Sequence, residues 1–263
     1  MNASMLAFAL AATSLGAALP PNSPVSVTNA AAVTEAKSFS GAAGGVLNYR
    51  IHSPEKVEPG RRYPLVLFLH GAGERGDDNA KQLVHGAWPI LSYMKENGIE
   101  GYLIAPQCPK AKQWVDTPWS VLAHDMPKKP SEPMALVMAL LEKSCRELPV
   151  DAGRVYVTGL SMGGYGTWDV AMRLPGLFAA AMPLCGGGDS RLAWKVREMP
   201  IWVFHGDRDT AVPVVRSRQM VSALWQCSGN VRYTEYPGVG HNCWVRTYDD
   251  KSVLEWLFAQ SKK

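Results

Sequence analysis

The chain has 263 residues, of which 47% are hydrophobic and 19% charged, enough apolar content for one sizeable core and too little charge for general disorder. Its 27 Lys and Arg against 23 Asp and Glu leave a net charge of +4. The basic residues are scattered, with no run longer than doublets such as Arg61-Arg62 and Lys128-Lys129, which argues against nucleic acid as the main partner.

Residues 1–36 contain no Lys or Arg. The apolar, alanine-rich stretch Met5–Leu19 is too short to span a bilayer comfortably and reads as the apolar region of a secretory signal, followed by a spacer over residues 20–36. Export to the periplasm or medium is the expectation, with cytoplasmic residence if that stretch is not a signal. Residues 37–263 are then the expected folded domain. Val46–Ile51 alternates like a strand, and Tyr63–Leu69 is a continuous apolar run suited to a strand buried on both faces. A helix is predicted over 79–95, a buried strand over 101–105, an irregular proline-rich stretch over 106–133, and an apolar helix over 134–147. Strands follow at 155–158, 178–184, 201–204 and 231–236. Helices are predicted from the 155–158 strand's turn to Leu174, at 214–226, and at 247–260. Strands alternating with helices predict an α/β fold, a single domain with a mostly parallel central sheet covered on both faces. In such sheets ligands collect at the carboxyl ends of the strands.

One of those ends carries VTGLSMGGYGTW. Gly159 and Gly163 flank Ser161 in the pattern G-x-S-x-G, between a strand and a helix, which is the arrangement of a nucleophile elbow. A phosphate loop would need a Lys after the glycines, and none is there. A serine hydroxyl needs a base, and the base needs an orienting group. Serine hydrolases built on a parallel sheet keep the order Ser, acid, His. Only His205 and His241 follow Ser161. His205 ends a strand, where a histidine commonly supports a turn, whereas His241 lies in the glycine-rich loop YPGVGHNCW before the last helix. His241 is therefore the expected base. Asp209 and Asp207 share the loop after the 201–204 strand, with Asp189 as the outside candidate for the acid. An oxyanion hole needs two backbone N–H groups; Met162, next to the serine, and Ala72, in the glycine-rich loop after the 63–69 strand, are the candidates. Trp114, Trp119 and Trp244 fall in loops near the expected cleft and could stack on a sugar or a phenolic acyl group. The five cysteines show no metal-ligand spacing; a Cys227–Cys243 bridge would suit an oxidising compartment.

The stretches LHGAGERG (69–76), APQCP (105–109), GLSMGGYGTW (159–168) and HGDRDTAVP (205–213) resemble the α/β-hydrolase superfamily. Within it they are similar to a bacterial group of secreted esterases labelled predicted peptidases, related to polyhydroxybutyrate depolymerases and feruloyl esterases. The resemblance implies an α/β-hydrolase fold and a catalytic acid at Asp209. It implies a serine carboxylesterase for short-chain or carbohydrate-linked esters of the acetyl or feruloyl type, with no cofactor and no metal. A peptidase of the prolyl-oligopeptidase type is the alternative, and a catalytically silent binding protein the third reading.

Overall fold

In the computed structural model, residues 24–42 and 44–262 are described. The expected signal stretch Met5–Leu19 lies outside them. Helix α1 (Pro24–Ala32) and strand β1 (Glu35–Ser40) occupy most of the stretch read as a spacer, and Ala30 is buried in the core. Strand β1 escaped the sequence reading because EAKSFS is a polar edge strand with most side chains exposed. It pairs antiparallel with β2 (Val46–His52).

Strand β3 (Tyr63–Leu69) is buried along its whole length, as its continuous apolar run predicts for a two-faced strand. Its side chains alternate: Leu65, Leu67 and Leu69 enter one core cluster, Val66 and Phe68 the other. The helix expected over 79–95 is divided. A single tight turn at Lys81–Leu83 precedes Gly86, which adopts φ +75°, and helix α2 runs from Ala87 to Glu96. Gly86 is required there, since a Cβ would lie 2.6 Å from the Phe68 ring at a left-handed φ.

Strand β4 (Tyr102–Pro106) is followed by the irregular segment, then α3 (Glu132–Glu147), capped by the Ser131 hydroxyl accepting from the Met134 N–H at 3.2 Å. Strand β5 (Val150–Leu160) leads into α4 (Met162–Arg173). Strands β6 (Ala180–Leu184), β7 (Ile201–Gly206) and β8 (Val231–Tyr236) alternate with helix α5 (Val215–Gln226) before β8. The final predicted helix is two, α6 (Trp244–Asp249) and α7 (Lys251–Phe258). They break at Asp250, whose carboxylate caps α7 by accepting from the Ser252 N–H at 3.0 Å.

The eight strands form one sheet in the order β1-β2-β4-β3-β5-β6-β7-β8, with β1, β2 and β4 joined antiparallel and every other pairing parallel. Buried residues of α3, α4 and α5 share one core cluster, and those of α1, α2, α6 and α7 share the other. The architecture is a single α/β domain, as the alternating pattern predicts. Because β3, β5, β7 and β8 run parallel, the loops that follow them meet at one edge.

Candidate active site

Ser161 sits between β5 and α4 with φ 55° and ψ −119°, a left-handed conformation that a serine adopts only under constraint. The constraint is packing. A Cβ on Gly163 would lie 1.9 Å from the Leu69 carbonyl oxygen, and one on Gly159 would lie 2.5 Å from the Gly163 oxygen. Only glycines let β3, β5 and α4 approach so closely. The Ser161 N–H donates to the Leu184 oxygen at 3.0 Å, fixing the turn to the neighbouring strand.

The Ser161 hydroxyl lies 2.8 Å from His241 Nε2, and His241 Nδ1 lies 2.6 Å from Asp209 Oδ2. The loops after β5, β7 and β8 thus bring the three expected side chains into one hydrogen-bonded chain. The Asp209 side chain is fully enclosed. Its Oδ1 accepts from the Ala211 and Val212 N–H groups, both at 2.8 Å. His205 Nε2 lies 3.1 Å from its Oδ2 and 3.0 Å from the Val212 oxygen, so that nitrogen carries the proton and donates to both acceptors. The sequence spacing does not foretell this contact, by which His205 supports the Asp209 carboxylate from below. Asp207 faces the other way, accepting from the Gly238 N–H at 2.7 Å and stitching its loop to the one that carries His241. Asp189 is remote, holding Arg191 and the Met126 N–H.

Burial alone would raise the Asp209 pKa, but hydrogen bonds from His205, His241 and the Val212 N–H hold it far below the usual carboxylate range. A depressed folded-state pKa adds stability that is present above the unfolded value and lost as the pH falls through the folded one. The stability advantage of wild type over Asp209→Asn should therefore shrink as the pH drops below about 4, the unfolded carboxylate range. Urea unfolding of both proteins at mildly and strongly acidic pH measures it, and an advantage that grows on acidification would contradict the assignment.

Met162 is the first residue of α4, and Ala72 the first of a short turn, Ala72–Glu74, where helical N–H groups lack partners within the turn. The loop holding Ala72 is braced from below. The Cys108 N–H donates to His70 Nε2 at 2.9 Å, which leaves the ring proton on Nδ1 to donate to the Gly71 oxygen at 2.6 Å. Burial pushes the His70 pKa down to about 4, against the opposing Gly71 hydrogen bond, so the ring is neutral near pH 7. Gln107 donates to the Glu74 oxygen at 3.1 Å and accepts from the Asn79 N–H at 2.7 Å. The APQCP stretch is thus the underside of the Ala72 loop.

A cleft of about 340 Å³ opens over Ser161 and His241. Ala72, Trp119 and Trp244 line it, with the Trp244 ring edge-on to His241 at 5.2 Å between centroids. Trp114 does not belong to it. Its side chain is fully buried, donates from Nε1 to the His70 oxygen at 3.1 Å and packs edge-on to the His70 ring, so it is another brace of the same loop. Glu74 and His85 also line the cleft, with His85 Nε2 3.5 Å from Glu74 Oε1. Nothing in the sequence spacing marks His85, although Glu74 stands inside LHGAGERG.

No Cys227–Cys243 bridge is formed. All five cysteines are free; Cys227 packs on one side of the sheet and Cys243 is buried on the other. Cys185, Asp209 and His241 present ligand atoms within 4.8 Å of one another, the one such metal-like group among the described residues. Both His241 nitrogens, however, are engaged by Ser161 and Asp209. Among the described residues no helix is long and apolar enough to cross a membrane.

Residues 51–253 match the profile of a family described as Phospholipase/Carboxylesterase. A solved thermostable esterase superposes with a TM-score of 0.81 at 40% identity, covering 88% of this chain and 64% of its own. A bifunctional acetylxylan esterase/xylanase of Neocallimastix patriciarum is 25% identical over 166 residues, which span 63% of this chain and 22% of that protein. A poly(3-hydroxyalkanoate) depolymerase C of Paucimonas lemoignei is 27% identical over 169 residues, 62% of this chain and 36% of the depolymerase. The chain thus spans about a fifth to a third of the length of these two relatives.

Proposed function

Since this chain belongs to the phospholipase/carboxylesterase family of α/β-hydrolases, we propose that it is a carboxylic ester hydrolase that works through Ser161, His241 and Asp209 on short-chain or carbohydrate-linked esters. The observation that carries this reading is the unbroken hydrogen-bonded chain from the Ser161 hydroxyl through His241 to a buried Asp209. His241 Nε2 removes the proton as Ser161 Oγ adds to the ester carbonyl carbon. The carbonyl oxygen becomes an oxyanion, held by the Ala72 and Met162 N–H groups. When the tetrahedral adduct collapses, the carbon–oxygen bond to the alcohol breaks and the imidazolium returns its proton to the leaving oxygen. Water then gives a proton to His241, adds to the acyl carbon and releases the acid, restoring the serine. Asp209 stays ionised throughout, holding His241 with its proton on Nδ1 and supporting the imidazolium.

The cleft lies near the lower end of the volumes typical of small-molecule sites, which favours a small acyl group or a single ring beside Ser161. Trp119 and Trp244 offer the flat apolar surfaces that a sugar or hydroxycinnamoyl ring would meet. Export rests on the apolar stretch Met5–Leu19, and we propose residues 37–263 as the part that carries the catalysis. A panel of p-nitrophenyl acetate and butyrate, acetyl-xylan, methyl ferulate and peptide anilides tests the reading. Turnover of the short p-nitrophenyl esters together with acetyl-xylan or methyl ferulate is expected. Faster cleavage of the anilides than of any ester would favour the peptidase alternative, and no turnover at all would favour a silent binding protein.

A further inference from the structure

Arg216 lies in the first turn of α5 with only 1% of its surface exposed. A buried cation is costly unless compensated, and among the described residues no carboxylate pairs with it. Its guanidinium instead donates to the Leu122 oxygen at 2.9 Å, Gln219 Oε1 at 3.3 Å, the Gly188 oxygen at 3.4 Å and the His124 Nδ1 lone pair. The Nε–H has no partner, and the cation sits 5.7 Å from the centre of the Tyr165 ring. His124 can accept only while neutral. Its burial, and then the Arg216 charge, push its pKa down to about 4, against Asp189 and Asp125, which act the other way.

These contacts converge on one stretch of irregular chain. The Tyr165 hydroxyl donates to the Trp119 oxygen at 2.9 Å, three residues from the Leu122 carbonyl that Arg216 holds. Asp189 accepts the Met126 N–H further along. Tyr165 stands on α4, directly behind the Ser161 turn, and its N–H donates to the Ser161 oxygen at 3.1 Å. Trp119 lines the cleft, and its ring is flanked by the Arg75 guanidinium at 5.8 Å. A planar fork that spans the 119–124 segment, the loop after β6 and the nucleophile helix is geometry a lysine or an apolar residue cannot reproduce.

We propose that Arg216 and Tyr165 are positioning residues that clamp the 119–124 segment to the nucleophile helix, so that the Trp119 wall selects esters carrying a flat ring. This rests on the esterase reading for its substrates but not for its geometry. The clamp acts only through Trp119, and that separates it from a merely structural role.

Kinetics of Tyr165→Phe and Arg216→Lys on methyl acetate, 1-naphthyl acetate and methyl ferulate test it, with hydrogen exchange of the 119–124 amides measured in parallel. In both variants the KM of at least one ring-bearing ester should rise about fivefold more than that of methyl acetate, the scale of one lost hydrogen bond. In a Trp119→Ala background, Tyr165→Phe should add nothing further. Equal KM changes for all three esters, or a Tyr165→Phe effect that persists without Trp119, would overturn the proposal. If the wild-type protein turns over none of the esters, the esterase reading fails and exchange decides the clamp. Faster exchange over 119–124 in the variants sustains it, and unchanged exchange refutes it. Tyr165→Phe keeps the test decisive should Arg216→Lys fail to fold.

Discussion

Ser161→Ala should lower kcat on p-nitrophenyl acetate by about 10⁴- to 10⁶-fold, the range seen when the nucleophile of a Ser-His-Asp site is removed. The size follows from the geometry. Ser161 is held at φ 55° between two glycines whose side-chain absence lets three backbone segments meet, and its hydroxyl is already 2.8 Å from His241 Nε2. Alanine keeps the fold but leaves water as the only nucleophile, so any residual rate reflects the oxyanion donors and binding alone. Because the substitution removes one oxygen from a half-buried position, the melting temperature should barely change. A folded variant keeping more than about a tenth of the wild-type rate would place the nucleophile elsewhere.

Asp209→Asn should cost at least about 10²-fold in kcat, and Asp207→Asn less than about tenfold. Two residues apart in one loop, they have different tasks. Asp209 Oδ2 accepts from His241 Nδ1 at 2.6 Å, while Oδ1 accepts from two backbone N–H groups that fix its orientation. An amide in its place keeps the shape but lacks the charge. It either presents an N–H toward His241, favouring the wrong tautomer, or leaves the imidazolium unsupported. Asp207 instead accepts from the Gly238 N–H, so its loss should appear as a stability decrease of about 1 kcal/mol. Kinetics and urea unfolding on the two variants measure both quantities. Equal kinetic losses would mean the loop acts as a unit, and a larger loss from Asp207→Asn would move the acid to that position.

The central strands were legible because a parallel sheet covered on both faces demands continuous apolar runs, and YPLVLFL over β3 can be little else. The edge was not. Strand β1 is held by pairing with β2 rather than by burial, and its polar sequence carries no two-residue apolar alternation. Helix boundaries failed where a single residue acts against local periodicity: Gly86 turns the chain before α2, and Asp250 ends α6 by capping α7. At the site, the order Ser161, Asp209, His241 anticipated which side chains meet, since sheet topology carries the loops after β5, β7 and β8 to one edge. Which way a loop residue faces is a matter of tertiary packing. Trp114 and Trp119 stand five residues apart in the same irregular stretch, yet one braces the Ala72 loop and the other lines the cleft. His205 has the sequence position of a turn support, and that it also holds the Asp209 carboxylate is visible only from the 3.1 Å between Asp209 Oδ2 and its ring.

The most direct test of the account is where an active-site-directed fluorophosphonate attaches. The reagent's phosphorus should bond to Ser161 Oγ with loss of fluoride. Intact-mass analysis should show one adduct per chain, peptide mapping should place it on the segment containing Ser161, and ester hydrolysis should stop in proportion to labelling. The Ser161→Ala protein should take up none. An adduct on another residue that abolishes activity, or full ester hydrolysis by protein labelled at Ser161, would contradict the account.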